Sequence, residues 1–170
     1  IAALVLANTA DLSAQAPVRI PLGTLVPQGS SYHRILQEMA EKWKTGTGGK
    51  VQVTIYAGTM GSELELVRRM RATQLHAAAA TVQGITNMDP GVAGLQSMPM
   101  MFRTLDEVEY VKNKLEPVLA KRLEAKGFKV LFWADAGWVR FFSRDKVERP
   151  ADLKQQKIFV TAGETEQFDL

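Results

Sequence analysis

The sequence has no cysteine, only two histidines, and no long apolar run after its first few residues. Without cysteine there can be no disulfide, no Cys-ligated zinc and no thiol nucleophile. That absence leaves the compartment open, because many exported proteins lack cysteine. His33 and His76 are far apart, and neither belongs to an H-E-x-x-H pair. A lone histidine near a helix start or a strand edge reads first as structural. The chain also lacks a G-x-S-x-G nucleophile elbow, a G-x-x-x-x-G-K-[ST] phosphate loop and a G-x-G-x-x-G dinucleotide fingerprint. No segment approaches the ~20 consecutive apolar residues of a membrane helix, so the mature chain is not expected to insert into a bilayer. The 21 Lys and Arg are interleaved with 18 Asp and Glu, for a net charge of only +3. With no basic stripe, nucleic acid is not an expected partner.

What is present fits a folded α/β chain. At 170 residues and 46% hydrophobic content, one domain, or one and a half small ones, can bury a core. The first residues say most about location. Ile1 to Ala7 is a short apolar run, and Ala14-Gln15-Ala16 follows it. An apolar stretch ending in A-x-A reads as a secretory signal peptide cut after Ala16. The plain alternative is a buried N-terminal segment. The basic n-region of such a signal is missing, and the chain starts at Ile1 and not Met, so the front reads as truncated.

Along the chain, Val18 to Val26 alternates apolar and other residues and predicts a strand, with Pro21 marking an edge or bulge. Ser30 or Ser31 caps a helix whose apolar stripe is Tyr32, Ile35, Leu36, Met39 and Trp43, and which stops at Gly46 to Gly49. Val51, Val53 and Ile55 mark a second strand. Ser62 to Glu65 is a capping box, S-x-x-E, opening a helix with Leu64, Val67 and Met70 facing inward. Ala77 to Val82 reads as a close-packed strand, although its alanines could also be helical. Asp89-Pro90-Gly91 is a turn. Thr104 to Glu107 is a second capping box, and Leu105, Val108, Val111 and Leu115 follow at helical spacing. Pro117 predicts the start of a separate helix carrying Leu119 and Leu123 and ending at Gly127. Phe128 to Ala134 and Gly137 to Phe142 predict buried strands, Pro150 to Lys154 a helical turn, and Lys157 to Val160 a strand. The order β-α-β-α-β-α-α-β-β-(α)-β implies an α/β fold with a mainly parallel sheet covered on both faces.

Few residues carry chemistry. Gly58 to Gly61 is only G-x-x-G, best read as a strand-to-helix turn. Glu63/Glu65 and Asp106/Glu107 sit at helix N-termini, where the macrodipole accounts for them. Trp133, Trp138, Phe141 and Phe142 read as core packing, or as rings shown to a ligand in a cleft. Arg140 stands out inside Gly137-Trp138-Val139-Arg140-Phe141-Phe142. A cation there must reach water, an internal carboxylate or a ligand, and its planar fork suits a bound carboxylate.

Several stretches together resemble the solute-binding proteins of TRAP (tripartite ATP-independent periplasmic) transporters. They are Gly58-Thr59-Met60-Gly61-Ser62-Glu63, Met70-Arg71-Ala72-Thr73-Gln74-Leu75, Asp89-Pro90-Gly91, and Met98-Pro99-Met100-Met101-Phe102 with Leu105-Asp106-Glu107-Val108. Val130-Leu131-Phe132-Trp133, Gly137-Trp138-Val139-Arg140 and Arg149-Pro150-Ala151-Asp152-Leu153-Lys154 complete the set. The resemblance covers about Val18 to Val160. It implies two α/β lobes around a cleft, closing on a small organic ligand that is passed to TRAP membrane subunits, in the periplasm and without a cofactor. Residues 1–16 would be a signal-peptide remnant, 17–126 the first lobe, and 127–170 the crossing strands with an incomplete second lobe. So incomplete a cleft is expected to aggregate or be marginal alone.

The resemblance also implies site residues. Arg140 sits where the family has a ligand-holding arginine. A second, carboxylate-clamping arginine usually completes a K-x-R pattern, but here the chain reads Lys157-Ile158-Phe159. An aromatic ring cannot form the bidentate ion pair of an Arg fork, so a neutral or aromatic ligand stays open beside an organic acid. Trp133, Trp138 and Phe159 could stack on it. The first-lobe wall would come from loops after strands, contributing Tyr32, Glu63, Thr81 and Met101. Two other readings stay open: a ligand-binding sensor domain, and a periplasmic enzyme whose catalytic residues lie outside these 170.

Overall fold

The computed structural model describes residues 16–95, 101–135, 137–138, 140, 142–154 and 156–157. The chain divides into two compact units, residues 1–60 with 69–79, and residues 61–68 with 80–170.

The first unit is built on a parallel sheet of β1 (Val18–Thr24), β2 (Val51–Ala57) and β3 (Ala77–Ala79), in the order β2-β1-β3. β1 pairs with β2 along its whole length, from Val18 opposite Val51 to Thr24 opposite Ala57. It pairs with β3 only from Leu22 to Thr24. Burial follows this pairing: β1 is exposed at Val18 and buried at Leu22, Gly23 and Thr24, where it has neighbours on both edges. β1 is therefore the central strand, and the edge position expected from Pro21 is corrected. Pro21 is tolerated because it lies one residue before β3 begins. Its carbonyl accepts from the His76 amide at 3.0 Å, and its missing N–H would point to that same side.

Helix α1 (Ser31–Gly46) packs on β2. Its N-cap is Ser30, whose Oγ accepts the His33 amide. The buried positions are His33 and Leu36, while Tyr32 and Ile35 are exposed, so the inward stripe begins one residue later than the apolar pattern suggested. The helix ends in a Schellman motif: Gly49 N–H donates to Lys44 and Gly48 N–H to Thr45, with Gly48 left-handed at φ +60°.

Helix α2 (Glu63–Arg71) starts where expected, with Ser62 Oγ accepting the Glu65 amide at 3.3 Å. Its buried residues are Leu66 and Val67, and Leu64 is exposed, which corrects the expected inward face. The predicted strand over 77–82 is also shorter. β3 stops at Ala79, and Thr81 opens a short helix, α3 (Val82–Thr86).

In the second unit Asp89 leads into a 3-10 helix, Pro90–Leu95, packed against α3. Helix α4 (Leu105–Glu124) begins at the predicted capping box. Thr104 Oγ1 accepts the Glu107 amide at 3.2 Å, and the Glu107 carboxylate takes the Arg103 amide at 2.7 Å. Pro117 lies inside this one helix and does not start a second. Its ring is on an exposed face, and the Leu119 and Leu123 stripe continues beyond it. Those two leucines and Val92 form a core cluster, with Ile85, Met88, Leu115, Phe128, Val130 and Trp133 packed against it.

Residues 128–134 form no strand. They follow α4 as an irregular segment whose Phe128, Val130 and Trp133 turn to the cluster while Leu131 and Phe132 are exposed. The described residues of 137–142 are likewise not a strand. A short helix, α5 (Pro150–Leu153), matches the expected helical turn; the Asp152 carboxylate accepts the amides of Glu148 and Arg149. Residues 158–160 of the last expected strand lie outside the described residues. The architecture is a mixed helix and parallel-sheet fold. Among the described residues no helix is long and apolar enough to cross a membrane.

Candidate functional site

Parallel strands end together. Thr24, Ala57 and Ala79 lie side by side at the carboxyl edge of the sheet. Chain order makes one point on this edge special. From β1 the chain crosses through α1 to β2 on one side, while β3 lies on the other. In open α/β sheets the crevice between strands whose connections diverge this way is the usual ligand position. Here it falls between the ends of β1 and β3.

Thr24 joins those ends. It is fully buried. Its Oγ1 donates to the Ala79 carbonyl at 2.9 Å and accepts the Val26 amide at 3.2 Å, and its own carbonyl accepts the Gly58 amide at 2.8 Å. One hydroxyl thus sets the start of the loop after β1 and ties it to β3. That loop then turns back onto α1. Ser30 N–H donates to the Pro27 carbonyl at 3.1 Å, and Gly29 N–H donates to Nδ1 of His33 at 3.1 Å. Sequence reasoning named neither Thr24 nor His33 as part of a site. The available signals were a threonine ending an apolar strand and a histidine three residues after a serine cap.

Tyr32 stands at the start of α1 with its side chain exposed. In the second unit the structure brings together Glu63 and Thr81. The Glu63 carboxylate accepts from the Thr81 amide at 2.7 Å and from its hydroxyl at 2.6 Å. Gly84 makes room for this contact, since a Cβ there would lie 2.7 Å from Glu63 Oε2 and 3.0 Å from Glu63 Cβ. Met101 is exposed and lines an open groove with Phe102, Arg103, Glu107 and Val111. Trp133 is half-buried against the Leu119 and Leu123 cluster. Trp138 is 42% exposed. Arg140 is exposed and makes no hydrogen bond or ion pair among the described residues. Phe159 lies outside the described residues.

A half-buried ion pair lies elsewhere in the second unit. Asp89, almost fully buried, accepts from Arg122 Nη2 and from the Gly91 amide, each at 2.8 Å. The Arg122 hydrogen bond first, and then the Gly91 amide, hold its carboxyl below the usual carboxylate range. The Arg122 guanidinium also lies where a Cβ on Gly91 would fall. This is a structural lock between α4 and the 3-10 helix. Among the described residues no group of three His, Cys, Asp or Glu could hold a metal ion.

Comparison with known proteins agrees with a binding fold. The family model for bacterial extracellular solute-binding protein, family 7 (DctP), matches residues 22–167. A solute-binding protein of Verminephrobacter eiseniae is 30% identical over 153 residues, covering 88% of this chain and 44% of its own length. The 2,3-diketo-L-gulonate-binding periplasmic protein of Escherichia coli is 27% identical over 161 residues, covering 93% and 48%. The chain thus spans just under half the length of these curated relatives. In fold it resembles a TRAP periplasmic solute-binding protein from Sulfurospirillum deleyianum, solved with bound succinate. The TM-score is 0.60 at 21% identity, over 66% of this chain and 37% of that one. By the match over residues 22–167, the chain belongs to family 7 of the bacterial extracellular solute-binding proteins.

Proposed function

We propose that the protein captures a small organic acid in the periplasm and delivers it to the membrane subunits of a TRAP transporter, binding the ligand without transforming it. The observation that carries this reading is the family match across nearly the whole chain. The carboxyl-edge crevice at Thr24 and Ala79 supports it, because it is where an open parallel sheet holds ligands. The Escherichia coli relative binds 2,3-diketo-L-gulonate and the Sulfurospirillum deleyianum structure holds succinate, and both are carboxylates.

In this reading residues 17–126 supply the first lobe, and 127–170 the crossing segments and the start of the second. Closure of the lobes needs contacts made only in the closed state. Arg140, exposed and without an internal carboxylate among the described residues, would supply the charge for the ligand. The exposed ring of Trp138 would supply a stacking face, with Phe159 in the place of a second arginine. Tyr32 and Met101 would contribute from the loops. Glu63, Thr81 and Trp133 already use their polar groups or packing surface within the fold, and would hold the wall's shape.

A thermal-shift screen of the protein expressed from its complete reading frame tests this. Small organic acids should raise the melting temperature by linkage, and matched uncharged compounds should not. Arg140→Ala should abolish the rise. A shift with neutral or aromatic compounds alone would move the ligand class away from acids.

A further inference from the structure

The loop between β1 and α1 is fastened by a side chain that no motif singles out as functional. Gly29 is left-handed, at φ +81°, and a Cβ there would meet nothing within 4 Å. Its shape is therefore not imposed by crowding. What fixes it is a hydrogen bond, from the Gly29 amide to Nδ1 of His33 at 3.1 Å. The histidine is 7% exposed and belongs to the first turn of α1, where the Ser30 hydroxyl accepts its own amide. Loop and helix thus hold each other: Ser30 caps His33, and His33 holds Gly29.

We propose that His33 is a positioning residue for ligand capture, fixing the Pro27–Ser30 loop in the shape that the ligand meets. The inference rests on the reading of the carboxyl edge of β1 as the ligand crevice. It has a chemical requirement. Nδ1 must offer a lone pair to an N–H donor, so the ring proton sits on Nε2. Without that acceptor the loop samples more conformations, and a ligand must order it on binding, which weakens affinity.

The test uses the protein from its complete reading frame, with His33→Asn and His33→Leu. Asparagine can set its Oδ1 near the place of Nδ1, whereas leucine fills similar space without an acceptor. Three readouts apply. Nitrogen-15 NMR of the wild type should show His33 Nδ1 as the unprotonated ring nitrogen. Hydrogen exchange at the Gly29 amide should be slow in the wild type and His33→Asn, and fast in His33→Leu. Titration with succinate or 2,3-diketo-L-gulonate, whichever stabilises the wild type, should show binding roughly three- to tenfold weaker in His33→Leu and largely restored in His33→Asn. Equal affinity in all three proteins, equal exchange at Gly29, or a proton on Nδ1 would overturn the assignment. If the wild type binds neither acid, the proposed ligand class fails. The exchange and NMR results then still decide whether His33 holds the loop, and should His33→Leu fail to fold, the wild-type spectrum and His33→Asn suffice.

Discussion

The Glu63 carboxylate holds Thr81 by both of its polar groups, the amide at 2.7 Å and the hydroxyl at 2.6 Å. It does so across a gap that only a glycine at position 84 leaves open. The contact joins the start of α2 to the start of α3, although 18 residues separate them in sequence.

Glu63→Ala removes the acceptor for two donors and should cost on the order of 1–2 kcal/mol, given the contact's exposure. Gly84→Ala pushes a methyl into the carboxylate and should cost about 1–3 kcal/mol. Because both changes act on one contact, the double variant should lose less than the sum, with a coupling of about 0.5 kcal/mol or more. Urea denaturation of the four proteins measures this. Strict additivity would mean that Gly84 is not there to make room for Glu63.

Thr73 offers a stabilising substitution. At the end of α2, Gln74 N–H donates to the Arg69 carbonyl and Thr73 N–H to that of Met70, with Thr73 left-handed at φ +57°. This is the Schellman motif that Gly127 completes at the end of α4 and Gly48 at the end of α1. A β-branched residue in that conformation costs about 1–2 kcal/mol. Thr73→Gly should therefore raise stability by about 1 kcal/mol, less the entropy a glycine gains when unfolded. A lowered urea midpoint would contradict it.

Asp89 gives the fold a pH dependence of definite sign. Its folded carboxyl titrates below its unfolded value, held there mainly by Arg122. The unfolded chain therefore takes up that proton first as pH falls. The stability from Asp89 is complete above the ordinary carboxylate pKa of about 4, and is lost as pH falls through the lower folded value. Glu124 and Asp152 are shifted the same way, by Lys129 and by the Glu148 and Arg149 amides. Denaturation midpoints between neutral pH and pH 3 should fall with acid, and Asp89→Asn should flatten part of that slope while lowering the neutral midpoint. An unchanged slope would remove Asp89 from the account.

Helix α4 depends on its N-terminal cap. Thr104→Ala leaves the Glu107 amide without its side-chain acceptor and should cost about 0.5–2 kcal/mol. Thr104→Ser should restore most of it. Equal stability of the alanine and serine variants would show that the cap contributes little.

Local signals were legible in the sequence, and pairings were not. Ser30, Ser62 and Thr104 were readable as helix starts because a cap involves residues three apart. The inward face of α2 was ambiguous: at ~100° per residue, Leu64, Val67 and Met70 span about 120° and Leu66, Val67 and Met70 about 100°, and packing selects Leu66. Pro117 looked like a helix start, yet burial of Leu119 and Leu123 carries α4 through it. The apolar run from Phe128 looked like a strand because a run cannot reveal whether a partner strand exists; its inward side chains pack on the α4 cluster. The switch point at Thr24 and Ala79 was invisible for the same reason, since it depends on which strand lies on which side of β1.

The most direct test of ligand capture is calorimetric titration of the protein, expressed from its complete reading frame, with the organic acid that stabilises it, followed by chemical recovery of that acid. The account predicts saturable binding at one site per chain, loss of the heat in Arg140→Ala, and ligand recovered unchanged. Saturable binding that survives Arg140→Ala, or consumption of the acid, would contradict it.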